Sequence, residues 1–397
     1  ARLIILSKRL KDAAAGLCRQ ILASTPDHAT AHLLLGVIAF HGQELDEARH
    51  LTSRALELKP DDPQAHHTLA GIARLQGRND EALSHYRRAL MLNPGYDEAY
   101  ANLIQTELDL GDAAALGSAR QWLQQRPDSA QAHAAMARAC ARFRRPEEHL
   151  RHLQKAVQLA PTHKGNLLAL GNAWLARRHF EEARQAYEQA AALPPDDGTA
   201  EFNLAQLAYH RGDTEGAKGG FEQALEKNPR AADAWFGLAL VELLTGELHG
   251  GWDHFRERPS LRGTGIPRPP IELDHDLTGR KVLVIADEGP GDELFFLRFA
   301  PALRRRGARI TYQTTPLLQD LLRRIPALDS VVTERPADGF DLQFAVGDLP
   351  FLLGVDDMAN VPEPLVLEPQ AHRIKRWRED LRARGDALAL LWATESG

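Results

Sequence analysis

The residues with the most chemical promise stand in one short stretch, Glu288-Gly289-Pro290-Gly291-Asp292-Glu293, directly after the apolar run KVLVIA. Its acids, spaced by two glycines, can be brought by a turn against a bound molecule. Glycine has no Cβ, so Gly289 and Gly291 permit positive φ and close backbone approach. Asp292 falls where an amphipathic run begins. A helix N-terminus there would stabilise its anion and lower its pKa. An ionised carboxylate so placed can take a proton from an attacking hydroxyl. The plain alternative for Asp292 is a helix cap. Glu288 can assist or substitute, and Glu293 reads as a solvated first-turn acid.

Two phosphate-binding designs fail on the same residues. A dinucleotide fingerprint needs a third glycine and an acid after the second strand. Here Leu294 stands at the glycine position, and the second strand ends in Gln313-Thr314-Thr315. A P-loop needs Gly-Lys-Ser/Thr, which does not follow.

The elements that must position this turn are legible around it. KVLVIA (281–286) reads as a buried strand, and a helix is expected from about Asp292 to Arg306. ARITYQ, SVVTE, DLQFAV and ALALLWA (387–393) read as further strands. PLLQDLLRRI and AHRIKRWREDLRARG read as helices. Such alternation gives a parallel sheet covered by helices, with its ligand edge at the strand C-termini.

The first two thirds of the chain follow another rule. Pro26, Pro60, Pro94, Pro127, Pro161, Pro195 and Pro229 recur at intervals of 34, 34, 33, 34, 34 and 34. That period, with small residues in phase at Ala48, Ala82, Ala183 and Ala217 and again at Ala55, Ala89, Ala156, Ala190 and Ala224, is the tetratricopeptide pattern of stacked helix pairs. Tyr86, Tyr187, Phe221 and Phe255 recur as rings that plug gaps between pairs. The unit Gly95–Pro127 is one residue short, with Leu116 and Leu123 where Ala is expected. The first unit lacks most of its opening helix, which suggests an N-terminal truncation.

The first helix of each pair lines the inner side of such a solenoid. In this phase the lining includes His67, Arg74, Glu98, Gln105, Gln131, Arg138, Asn172 and Gln206. It turns apolar toward Leu168, Leu175, Phe202, Tyr209 and Phe236. This is a groove for a protein or peptide, or a solvated wall with aromatics docked on the next domain. Protein O-GlcNAc transferases carry an asparagine ladder in such a groove. Here those positions hold only Asn102 and Asn203, so that clamp is not supported.

From Pro259 to Gly279 the proline- and glycine-rich text PSLRGTGIPRPPIELDHDLTG marks a linker. Beyond it, ADEGPGDELFFLRFAPALRRRGARITY resembles the heptosyltransferase-related glycosyltransferases (family nine), in the branch fused to tetratricopeptide repeats. The resemblance rests on Glu288, Gly289, Gly291, Asp292, Phe296, Arg298, Phe299, Pro301, Gly307 and Ala308. It continues through IPALDSVV, FDLQFAVGDLP, Trp377 and Trp392, over about residues 250 to 397. It implies an α-solenoid followed by an α/β Rossmann-like half of a GT-B fold. The domains would be residues 1–258 for the repeats, 259–279 for the linker, 280–386 for the acceptor half and 387–397 for the start of a donor half. It implies metal-independent, inverting transfer from a nucleotide sugar, with Asp292 in the place of the proposed base and Gly289, Gly291, Glu293 and Arg298 beside the acceptor. The family continues Trp-Ala-Gly-Asn where this chain reads Trp392-Ala393-Thr394-Glu395, and the donor-binding half would lie beyond Gly397. As given, the chain should not turn over. The alternative is a tetratricopeptide scaffold with a degenerate transferase half, and self-association through an uncapped repeat edge is a third reading.

Bulk properties narrow the class. A length of 397 residues implies two or more domains. A formal charge of -6 argues against a general nucleic-acid binder. Cys18 and Cys140 read as buried small hydrophobes in a cytoplasmic protein. The 17 histidines include His66-His67 and His149-x-x-His152, but no metal-binding signature accompanies them, so neither metal nor cofactor is expected. No apolar run reaches the ~18 residues of a membrane span.

Overall fold

The computed structural model describes residues 2–270, 273–367, 370, 372–376 and 379, with side chains from residue 10 onward. The chain divides into two compact units, residues 1–207 and 208–397. The division falls ahead of the proline- and glycine-rich stretch that the sequence suggests as a boundary. The strand expected at 387–393, Trp377 and Trp392 lie outside the described residues.

The first unit is helical. It comprises α1 (Arg2–Ser24), α2 (Ala29–His41), α3 (Leu45–Leu58), α4 (Pro63–Leu75), α5 (Asn79–Leu92), α6 (Asp97–Asp109), α7 (Ala114–Gln125), α8 (Ala130–Arg142), α9 (Pro146–Leu159), α10 (Lys164–Ala176), α11 (Phe180–Ala191) and the start of α12 (Thr199–His210). From α2 onward the helices pack as sequential pairs. The periodic prolines stand two residues past the end of each second helix, four for Pro195, where a missing N–H stops the helix. Ring donors six residues on satisfy several proline carbonyls. Nε2 of His32, His66 and His133 donates to the oxygens of Pro26, Pro60 and Pro127 at 2.8, 3.0 and 3.0 Å.

The small-residue phase is where the sequence places it. Ala48, Ala82 and Ala183 are fully buried, as are Ala89, Ala156 and Ala190. Tyr187 lies against Gly171, where a Cβ would meet its ring. The degenerate unit needs a correction. The missing residue lies ahead of α7, so Ala115 and Ala119, both fully buried, form its small face, not Leu116. Trp122 then stands where a small residue recurs elsewhere, rather than Leu123. It is buried, stacks on Tyr100 at 5.7 Å and donates to Asp97 Oδ1 at 2.7 Å.

The second unit opens with α13 (Thr214–Lys227), α14 (Ala232–Thr245) and α15 (Leu248–Phe255), and continues through a 3-10 turn, Pro259–Leu261. Then come β1 (Lys281–Ile285), α16 (Pro290–Phe296), α17 (Ala300–Arg305), β2 (Arg309–Gln313), α18 (Pro316–Leu322), β3 (Ser330–Val332), β4 (Leu342–Ala345) and α19 (Leu349–Leu352). The helix expected over 292–306 is broken by a 3-10 segment, Leu297–Phe299. Pro301 cannot donate to the carbonyl four residues back, so the chain tightens and restarts.

Among the described residues the strands are four, all parallel, in the order β3-β2-β1-β4. Val282, Leu283, Val284 and Ile285 of the central β1 are all buried. The core joins Val282, Val284, Ile310, Tyr312 and Phe344 to Leu297, Phe299 and Leu303, and also to Leu248, Trp252 and Phe255 of α15. Phe255 and Trp252 meet Phe296 at 5.7 and 6.1 Å. Phe236, read as inner-wall lining, packs on Phe255 at 5.7 Å. Leu273 and Leu277 of the linker are buried in the same core.

Candidate functional site

Strand order decides where a site can form. From β1 the chain steps outward to β2 and β3, then returns to pair β4 on the other side of β1. The loops leaving β1 and β4 therefore stand side by side at the C-terminal edge of the sheet, joined by the Gly347 N–H to Asp287. The crevice they leave at the strand C-termini is where open α/β sheets bind ligands. The Glu288–Glu293 turn leaves β1 at this edge, and Val346-Gly347-Asp348 leaves β4 beside it.

The floor of the crevice is an ionic cluster. Arg258, from the end of the last repeat, has a fully buried side chain. Its Nε donates to Asp287 Oδ2 at 2.5 Å, and its Nη1 to Asp348 Oδ1 at 2.7 Å and to the Phe255 carbonyl at 3.1 Å. Both carboxylates are fully buried as well. Asp287 Oδ1 also accepts from the Gly347 N–H at 3.3 Å.

Glu288 stands above that floor. Its side chain is a quarter exposed, accepts from Ser260 Oγ at 2.7 Å and lies 3.7 Å from Arg258 Nε. Burial pushes its pKa up, and the Asp287 and Asp292 charges push the same way, against the Ser260 hydrogen bond and Arg258. A carboxylate so raised is a stronger proton acceptor than an ordinary glutamate.

Asp292 is exposed and is the third residue of α16, whose cap is Gly289, not Asp292. Gly289 has φ -70° and Gly291 is helical, so neither uses the positive φ that the sequence suggests. A Cβ on Gly291 would meet nothing within 4 Å. One on Gly289 would meet only Asp292 Oδ2, at 3.5 Å. The fold does not require these two glycines, and the space above them is open.

Glu293 is a further correction. It is 1% exposed, not a solvated acid. The helical turn aims it inward, where its Oε2 accepts from Tyr312 OH at 3.1 Å and Thr314 Oγ1 at 2.7 Å. Burial raises its pKa despite both hydrogen bonds. Arg298 is half-buried and stacks over the Phe295 ring at 4.3 Å.

In the repeats, the groove residues form a ladder between successive first helices. Asn102 donates to His67 Nε2 at 2.9 Å, and His67 packs on Tyr96 at 4.9 Å; burial lowers the histidine pKa. Arg138 Nη1 donates to Gln105 Oε1 at 3.1 Å, while Gln105 Nε2 donates to Asp109 at 2.7 Å. Asn172 is exposed and accepts from Tyr187 OH at 2.6 Å. Arg74, Phe202 and Gln206 are half-buried, and Tyr209 is 36% exposed. Asn203 is buried, which removes it from any peptide clamp.

Sequence reasoning missed Arg258, Asp287, Asp348, Tyr312 and Thr314, whose roles depend on elements far apart in the chain. Among the described residues, no group of three or more His, Cys, Asp or Glu can hold a metal ion, and no helix is long and apolar enough to cross a membrane.

Comparison with known proteins speaks to the helical part. Tetratricopeptide-repeat families match residues 8–72 and 73–143, and residues 168–218 and 212–256. Protein FlbA of Caulobacter vibrioides is 25% identical over 177 residues, 38% of this chain and 30% of FlbA, so the chain spans less than a third of that relative. A solved structure of Pseudomonas aeruginosa PilF is 18% identical with a TM-score of 0.45, covering 52% of this chain and 94% of that one. A Thermus thermophilus tetratricopeptide-repeat protein is 25% identical with a TM-score of 0.39, covering 46% and 100%. With the family models matching residues 8–143 and 168–256, more than half of its length, the chain belongs to the tetratricopeptide-repeat family.

Proposed function

We propose that the repeats bind a protein partner and that the sheet on which they end is the acceptor side of a sugar-transferring enzyme. The first half of the reading follows from the family. The second is carried by one observation: two glycines that the fold does not need leave open space beside Glu288 and Asp292, at the C-terminal edge of a central parallel strand. An acceptor hydroxyl approaching over Gly289 and Gly291 meets a half-buried carboxylate with a raised pKa, Glu288, and an exposed one, Asp292.

In this reading the acceptor hydroxyl attacks the anomeric carbon of a nucleotide sugar in line with the departing diphosphate. Its proton passes to Asp292, with Glu288 as the assisting proton acceptor. The parallel sheet is then the Rossmann-like acceptor half of a GT-B fold, and the nucleotide sugar is held by another part of the protein. Transfer is inverting and needs no metal. The repeats select the protein or glycan acceptor.

The test is transfer of labelled sugar from a panel of nucleotide sugars by the full-length gene product, with and without EDTA. Asp292→Asn is expected to lower transfer by about 100-fold or more, as for loss of a general base, and Glu288→Gln by less, with thermal midpoints unchanged. Wild-type turnover in Asp292→Asn removes the base assignment. No transfer from any donor, together with partner capture that Arg138→Glu abolishes, favours the scaffold reading alone.

A further inference from the structure

We propose that Arg258 is a positioning residue: the turn that follows α15 inserts it into the crevice between β1 and β4, where it fixes the loops that carry Glu288 and Asp348. This deepens the acceptor-side reading. It rests on that reading for the task of Glu288, and on geometry alone for the positioning.

One guanidinium ties three elements together. It reaches Asp287 at the end of β1, Asp348 beyond β4 and the Phe255 carbonyl at the end of α15. The Phe255 ring lies 4.9 Å from Cζ. The crevice is closely packed around it: a Cβ on Gly347 would stand 3.0 Å from Cζ and Nη2, so any larger residue there would press on the fork. Nη2 finds no acceptor among the described residues.

Charge makes the insertion necessary. Asp287 and Asp348 are fully buried and Glu288 is close by, so one cation serves three acids. Without it, two buried carboxylates would face each other uncompensated. A planar fork with several donors can engage two carboxylates and a carbonyl at once, which the point charge of lysine cannot.

Two consequences follow. A ligand cannot enter between β1 and β4 under Gly347, so it must approach over Gly289 and Gly291. The acidic edge is also incomplete without α15, which makes the terminal repeat part of the site rather than a tether.

The experiment uses the full chain and needs no substrate. Amide hydrogen exchange is followed at 286–289 and 346–349, and the Glu288 carboxyl is titrated by carbon-13 NMR. In Arg258→Met the amides should exchange ~10-fold faster or more, and Glu288 should titrate about one pH unit higher for loss of a cation at this range. Arg258→Lys keeps the charge. It should hold the titration within roughly half a unit of wild type while leaving the amides fast. If Arg258→Met does not fold, the triple variant Arg258→Met, Asp287→Asn, Asp348→Asn removes the buried unpaired charges, and its amides are expected to be fast. Exchange within twofold of wild type in whichever of these two variants folds overturns the proposal, as does an unmoved Glu288 titration in Arg258→Met. Fast exchange with no sugar transfer by any gene product leaves the positioning role standing and sinks the acceptor-side reading.

Discussion

Glu293 shows what a residue's neighbours in sequence conceal. At the third turn position after Gly289-Pro290 it has the local signature of a solvated first-turn acid, and only the register of β2 puts Tyr312 and Thr314 opposite it. The Glu-x-x-x-Asp spacing was legible from the text, and so was a helix start there. The partners of each carboxylate were not, because they come from other strands. The buried site implies a pH effect with a definite sign. The folded pKa of Glu293 is raised, so its contribution to stability is present below the ordinary glutamate range and is lost as pH rises through the folded value. Glu293→Gln keeps an acceptor for both hydroxyls and carries no charge. It should therefore raise the thermal midpoint of the second unit at pH 8 by about 2 °C, for roughly 1 kcal/mol of relieved burial, with no difference at pH 4. Melting curves of wild type and variant at the two pH values decide it; a lower midpoint at pH 8 means the charged form is the stabilising one.

Among elements, the repeat pairs were the most legible part, because a 34-residue period repeats the same evidence many times in one chain. The exception is instructive. Counting from Pro94 placed Leu116 at the small position, whereas the shortened turn ahead of α7 moves the register to Ala115. Ala115→Leu should cost about 1–3 kcal/mol by overpacking, measured by urea unfolding, and a neutral result would restore the first register. The histidine pairs that join first and second helices carry a different prediction. The Pro60 carbonyl can only accept, so His66 Nε2 bears the proton, and neutral His66 then accepts at Nδ1 from His85, 2.9 Å away. His133 and His152 repeat the arrangement at the same distance beside Pro127. One added proton can settle on the outer nitrogen of His85, but a second leaves two donors facing each other. Burial lowers the pKa of His66, His85 and His152. Arg88, Asp61 and Asp62 surround the first, Arg78 and Glu81 the second, and Arg151 and Glu148 the third. Lowered folded values mean that this stability is complete above the ordinary histidine pKa near ~6.5 and declines as pH falls below it. The helical melting midpoint should drop by about 3 °C between pH 7.5 and pH 5, and the double variant His85→Gln, His152→Gln should flatten that slope. An unchanged slope in the variant would remove the pairs as its cause.

For the whole molecule, the proline- and glycine-rich text at 259–279 signals a change of architecture, and helices do give way there to a parallel sheet. Composition alone could not say which side of the change the core belongs to. Leu248, Trp252 and Phe255 lie before that text and are buried with Val282, Leu297 and Phe344 from beyond it. Arg258 adds a fully buried ionic tie across the same span. Among the described residues the sheet has four short strands, of which β3 has three residues and β4 four. Small sheets of this kind depend on a packed helix layer to bury their apolar face. Removing α15 together with Arg258 would expose the Phe296 face that Trp252 and Phe255 cover, and would strand Asp287 and Asp348 without their cation. A fragment of residues 212–397, which keeps α13 to α15, is therefore expected to unfold cooperatively in urea, whereas residues 259–397 should show no cooperative transition. Circular dichroism and one-dimensional proton NMR on the two fragments make the comparison. A folded 259–397 fragment with dispersed methyl signals would mean that the terminal repeat merely leans on the sheet, and the dependence of the strand-end acids on Arg258 would have to be abandoned with it.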